Sequence, residues 1–199
     1  MVVKKSSKSI AKEKLAIRKP VILLLGGGID STVMVDMYSK RKTPFIGIHY
    51  DYGQKALLGE RKSIRLISDL YRFKYLMRSL NVPVASRGDE FLARNALFIL
   101  SAAAEFGSRP TRIAFGAHLM SPYYDCSPRF VDSIQSILEG YFSGTVVLEA
   151  PLLAFTKAEI VAYAKKRRIP LKATFSCTRA SRTPCSHCPS CLDRRALGV

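Results

Sequence analysis

A chain of 199 residues, 48% hydrophobic and 24% charged, has the size and makeup of one globular domain able to bury a core without disulfide staples. No apolar run approaches the roughly 20 residues of a membrane-spanning helix, and the first residues lack the apolar centre of a secretory leader, which predicts a cytoplasmic protein with no membrane partner. Against 15 acidic residues stand 32 lysines and arginines, a formal charge of +17. That surplus predicts a nucleic acid or an acidic protein as a partner of the surface.

In chain order, residues 1–19 carry seven lysines and arginines against Glu13 alone and read as a solvated basic arm. From Pro20 short apolar runs alternate with longer amphipathic stretches, the pattern of a parallel sheet with covering helices. Strands are predicted at Val21–Leu25, Phe45–Tyr50, Phe73–Met77, Ile113–Ala117 and Val146–Glu149. The predicted helices are Ser31–Lys40, Ala56–Tyr71, Asn95–Phe106, Phe130–Glu139 and Lys157–Lys166. Thr156 and Glu159 have the spacing of a reciprocal cap, which marks the start of the last helix. The expected architecture is α/β, a Rossmann-like doubly wound parallel sheet of about five strands over 20–176, followed by a four-cysteine zinc-binding tail over 177–199.

The first strand runs into a helix through Leu25, Gly26, Gly27, Gly28, Ile29, Asp30, Ser31 and Thr32. Backbone N–H groups of such a turn can approach a phosphate, and the helix start adds about half a positive charge. The same glycines would also serve a merely tight connection. The Walker pattern is absent, which argues against a P-loop enzyme; a dinucleotide fold remains a rival, because Asp51 ends the second strand where a ribose-binding acid would sit. A carboxylate at Asp30 beside Ser31 favours a triphosphate such as ATP with Mg²⁺, since a bridging cation relieves its repulsion of the phosphates.

Cys177, Cys185, Cys188 and Cys191 lie within fifteen residues. Their CxxC spacing lets the sulfurs converge on one ion, and such a set suits Zn²⁺ better than an iron–sulfur cluster, whose fourth cysteine and proline are missing. A closed four-thiolate site would fold the tail, not activate water. His187 is expected to face solvent, and Cys126 to be a small buried residue.

Taken together, Gly26–Ser31, Asp51-Tyr52-Gly53-Gln54, Arg94-Asn95-Ala96-Leu97-Phe98, Tyr124–Phe130, Ala150-Pro151-Leu152 with Thr156–Val161, and Ser176-Cys177 with the later cysteines resemble the 7-cyano-7-deazaguanine synthase family. The resemblance spans roughly residues 21–197. It implies a pyrophosphatase-loop ATP-dependent ligase that activates 7-carboxy-7-deazaguanine, amidates it with ammonia and dehydrates the amide to the nitrile. On that reading Leu25–Thr32 bind the nucleotide, while Asp30, Ser31, Asp51, Gln54, Arg94, Asn95 and Asp125 serve the chemistry. ATP, Mg²⁺ and Zn²⁺ are the implied cofactors, a deazapurine and ammonia the substrates, and a homodimer is allowed.

The chain departs from the family pattern in several places, among them a shorter link between His118 and Asp125 and an abbreviated Leu80–Phe91 stretch. Gly26 stands where a serine is usual, Lys55-Ala56 where Arg-His is usual, and Ser127-Pro128-Arg129-Phe130 where Arg-Pro-Glu-Phe is usual. Two other readings therefore stay open: a relative that joins a deazapurine to a macromolecule in a defence system, and a site-decayed subunit that keeps fold and zinc but binds nucleic acid or protein.

Overall fold

The computed structural model describes residues 20–87, 90–119, 121–180 and 182–199; the basic arm at 1–19 lies outside the described residues. Among the described residues seven strands and six α-helices follow in order: β1 Val21–Leu24, α1 Ile29–Lys40, β2 Phe45–Asp51, α2 Leu57–Tyr71, β3 Tyr75–Ser79, β4 Ser86–Arg87, β5 Glu90–Phe91, α3 Arg94–Phe106, β6 Thr111–Ala114, α4 Pro128–Phe142, β7 Val146–Glu149, α5 Lys157–Lys166 and α6 Pro189–Ala196.

Five of the strands form one sheet in the order β3-β2-β1-β6-β7, all parallel, as expected. β1 is buried throughout (Val21, Ile22, Leu23, Leu24), as a strand covered on both faces must be. Alternation sends Ile22 and Leu24 to one face with Ile99, Ala102 and Ala103 of α3 and Phe130, Ile134 and Leu138 of α4. Val21, Leu23 and Leu25 go to the other, against Val35 and Tyr38 of α1 and Ile64 and Ile67 of α2. A third cluster locks α1 (Ile29, Val33, Met34) to α5 (Ile160, Val161, Ala164).

Most predicted boundaries move by one to three residues. The third strand begins at Tyr75, not Phe73, because Arg72 ends α2 in the left-handed region and Phe73 and Lys74 still belong to the turn. β6 begins at Thr111 and stops at Ala114, since its register against Val146–Glu149 and Ile22–Leu23 gives it no partner for 116–117 as a strand. α1 starts at Ile29, two residues early, because Gly28 in extended conformation serves as its cap. The reciprocal Thr156–Glu159 cap is present. Sequence reading missed the β4–β5 hairpin and α6, whose short runs carry no recognisable period. Among the described residues no helix is long and apolar enough to cross a membrane.

Strand order reverses between β1 and β6, and the crevice at the carboxyl ends of those strands is where open α/β sheets admit ligands. The turn 25–32 leaves β1 at that point.

Candidate functional site

The glycine turn is held from beneath. Ser63 Oγ donates to Gly27 O at 2.6 Å, Phe175 N–H donates to the same oxygen at 2.8 Å, and Leu25 O lies 2.8 Å from His49 Nδ1. Gly27 has φ +72° and a Cβ there would meet Glu60 O at 2.8 Å, so only glycine fits. A Cβ at Gly26, by contrast, would meet nothing within 4 Å, so the absent serine is a chemical loss and not a packing requirement. Ser31 and Thr32 both turn their hydroxyls onto Gly28 O, at 3.1 and 2.9 Å. No side chain caps α1, and the N–H groups of its first turn stay available to an anion.

Asp30 is held by Lys157 from the first turn of α5, its two oxygens 2.7 and 2.6 Å from Nζ. The sequence did not single out Lys157. It supplies at Asp30 a positive charge that the sequence reading had assigned to Mg²⁺.

After β2 the stretch 51–54 folds on itself. Asp51 Oδ1 accepts from Gly53 N–H, Gln54 Oε1 accepts from Tyr52 N–H, and Gln54 Nε2 donates to Tyr50 O and to Glu60 Oε2 at 3.0 and 2.8 Å. Gln54 is thus buried and fully engaged in shaping the loop. Ala56, where the family usually has histidine, is buried against Phe175 and Cys177.

Glu60 and His49 form a second pair that the sequence did not announce. His49 is buried, its Nε2 3.6 Å from Glu60 Oε2 and otherwise without a partner. Burial pushes the Glu60 carboxyl up to about 6, against the Gln54 hydrogen bond and the Arg94 charge. Burial also lowers the His49 imidazole. Because the folded state holds the Glu60 proton more tightly than the unfolded chain, that contribution is complete below pH 4.5 and lost as pH rises through about 6. We expect Glu60→Gln to remove a pH-dependent loss of about 2 kcal/mol between pH 4.5 and 7. Denaturant unfolding of both proteins across that range checks it: His49 contributes with the opposite sign to both, so the difference isolates Glu60, and parallel curves would refute the assignment.

Arg94 begins α3, and its guanidinium lies 5.5 Å from the Phe91 ring centroid, with Nε buried and without a hydrogen-bond partner. Burial opposes its charge, and Tyr52, Asp125 and Glu60 more than offset that. Burial raises the Asp125 carboxyl, with Arg94 and the Asn95 backbone N–H pulling the other way. Asn95 therefore meets Asp125 through its main chain; it does not cap α3, whose cap is Ala93 in the left-handed region. Arg94 and Asp125 line one cleft, of about 510 Å³, with Glu90, Phe91 and Tyr123. Its remaining wall comes from the cysteine tail: Thr178, Pro189 and Ser190. Cys126 Sγ is turned to Asp125 Oδ1 at 3.6 Å, and burial pushes its thiol up, which suits a packed residue and not a nucleophile. Ser127, one of the departures, caps α4 by accepting from Phe130 N–H. His118 bonds Leu119 O and does not line the cleft.

The sulfurs of Cys177, Cys185, Cys188 and Cys191 lie within 4.8 Å of one another, none in a disulfide. Cys185 N–H points to Cys177 Sγ at 3.4 Å and Cys188 N–H to Cys185 Sγ at 3.3 Å. Backbone donors aimed at sulfur favour thiolates, so this donor set fits a tetrahedral cation. His187 is exposed, bonded to Cys185 O, and not one of the four. Arg194 ties the tail to the domain through Thr174, Ser176 and Leu171 O.

The solved structure of a predicted tRNA methyltransferase subunit from Methanocaldococcus jannaschii superposes with a TM-score of 0.52 at 15% identity, covering 78% of this chain and 92% of that one. NMN synthetase from Francisella tularensis gives 0.54 at 12% identity, over 92% and 81%. Both likenesses concern the Rossmann-like fold alone. In sequence the chain is 28% identical to 7-cyano-7-deazaguanine synthase of Prochlorococcus marinus strain AS9601, over 89% of this chain and 92% of the relative. It is 27% identical to the enzyme of the same name from Acidobacterium capsulatum, over 89% and 90%. The model of the queuosine biosynthesis protein QueC family matches residues 82–197, more than half of the chain and the part that holds the cleft and all four cysteines, and on that match the chain belongs to the QueC family.

Proposed function

We propose that the chain is an ATP-dependent ligase that converts 7-carboxy-7-deazaguanine and ammonia to 7-cyano-7-deazaguanine through adenylated intermediates. The observation that carries this reading is the pair of adjoining sites at the carboxyl edge of the sheet: an uncapped, amide-lined glycine turn, and a separate polar cleft holding the partly unpaired, buried cation of Arg94. Leu25–Thr32 would cradle the phosphates of ATP, with Lys157 and Asp30 beside them. Mg²⁺ would supply further neutralisation of phosphate charge, held through Asp30 or Asp51. Arg94 would meet the substrate carboxylate and Asp125 a ring edge, while Ser31, Gln54 and Asn95 hold the surrounding backbone in place. Zn²⁺ would occupy the four thiolates and keep residues 177–199 standing as a wall of the cleft, excluding water from an activated acyl group.

The test is incubation of the purified protein with ATP, Mg²⁺, ammonium and the carboxy-deazapurine, following nitrile and AMP. The expected result is nitrile with two AMP released for each, and loss of both products in Gly27→Val, whose side chain would collide with the Glu60 backbone. Absence of AMP and nitrile from metal-replete protein would overturn the reading.

A further inference from the structure

The parallel sheet divides the molecule into two edges. The candidate site occupies the carboxyl edge. At the opposite edge lie the four segments through which helices return to strands, three of which carry lysine or arginine. Lys40, Arg41 and Lys42 lead into β2, Arg72 and Lys74 into β3, and Arg109 into β6. α5 runs back from the carboxyl edge beside α1, fixed there by Arg167 and Tyr163 on Asp36, so its end brings Lys165, Lys166 and Arg168 to the same edge. All nine side chains are exposed, and none is paired with a carboxylate among the described residues. The segments 40–44, 72–74, 107–110, 143–145 and 165–170 contain no acidic residue.

Five strands at about 4.8 Å spacing make this edge about 20 Å wide, enough to lie along several successive phosphates of a duplex. Within these segments themselves no large apolar side chain is exposed; Leu70, Tyr141 and Val147 are exposed at the adjoining ends of α2, α4 and β7, outside the basic segments. A protein partner would need such anchors at the centre of its interface, whereas phosphate neutralisation does not. Nor do aromatic rings alternate with the bases as a platform for unstacked bases requires.

We infer that this edge is a docking surface for the phosphate backbone of duplex nucleic acid, bound without sequence preference and independently of the site on the other edge. Its attraction is additive over many exposed cations and therefore steep in salt.

The test uses the full chain and 20-base-pair RNA and DNA duplexes with fluorescence anisotropy between 50 and 200 mM salt. The wild type should bind with an affinity that falls by about 10²-fold or more over that range. A variant carrying Lys40→Gln, Arg41→Gln, Lys42→Gln, Lys166→Gln and Arg168→Gln, all at exposed positions, should bind at least about 30-fold more weakly at 100 mM, with a shallower salt slope and an unchanged unfolding midpoint. Equal binding of RNA and DNA identifies the shared backbone as the ligand, and a preference for RNA identifies its groove geometry as a further contribution; both support the docking edge. Unchanged affinity in the variant, as would follow if residues 1–19 carried all the binding, overturns it, as does the absence of binding by the wild type at 50 mM or capture of an acidic polypeptide but not a duplex. Arg94→Met should lose most nitrile formation and keep duplex binding, so the two proposals fail separately.

Discussion

Cys188→Ser is expected to abolish metal binding and to lower the unfolding midpoint by about 6–12 °C, the equivalent of about 3 kcal/mol for a chain of this length. Cys188 is fully buried, its sulfur among three others within 4.8 Å, and it caps the start of α6. Burial opposes its ionisation, yet donors from Thr178 and Cys191 bring the thiol down to about 6, while burial and the neighbouring sulfur hold Cys191 up at about 12. With Cys188 already inclined to ionise, further thiolate charge in so small a space is opposed without a metal; a divalent cation displaces the remaining thiol protons and crosslinks 177 to 191. Metal content by atomic absorption should fall from one ion per chain to none, and a strong chelator should bring the wild-type midpoint down to that of the variant. A wild-type midpoint indifferent to the chelator would show that the sulfurs hold no structural ion. Because Thr178, Pro189 and Ser190 wall the cleft, the same change should raise KM for the acid substrate even at temperatures where the sheet stays folded.

Arg94→Met, which keeps length and removes charge, is expected to cut kcat/KM for the carboxy-deazapurine by about 100-fold, or about 3 kcal/mol. The guanidinium is enclosed by Tyr52, Phe91 and Asp125, and its Nε makes no hydrogen bond within the protein. A buried donor left unsatisfied is costly, so its retention fits a ligand that completes it. Arg94→Lys should rescue less than tenfold, since a single ammonium cannot reproduce the planar fork. Its effect should fall on KM for the acid and leave KM for ATP within about threefold, because the glycine turn is built by other residues. Values of kcat/KM within threefold of wild type for Arg94→Met would remove Arg94 from substrate recognition. Loss of that charge also removes the main favourable neighbour of Asp125 and, after the Gln54 hydrogen bond, the next one of Glu60, so both carboxyls should titrate higher than in the wild type.

Periodicity and punctuation made most of the fold legible. Alternating apolar runs announced five parallel strands, three glycines before Ile29-Asp30-Ser31 announced the strand-to-helix turn, and Thr156 with Glu159 announced α5, because each is a local signal written within a few residues. CxxC spacing announced the convergence of the four cysteine sulfurs for the same reason. What local sequence could not convey is who meets whom. Lys157 lies 127 positions from Asp30 and reaches it only because α5 packs beside α1. Glu60 and His49 fall within a predicted helix and a predicted strand, and become a close pair only when α2 covers β2. Gln54 looked like a reacting group and proves to brace its own loop. The cysteine tail looked like an appendage; folding sets it across the mouth of the Arg94–Asp125 cleft. Composition alone counted the surplus of positive charge, but only the parallel order of the strands, which gathers every returning segment on one edge, decided that nine of those cations lie together opposite the site.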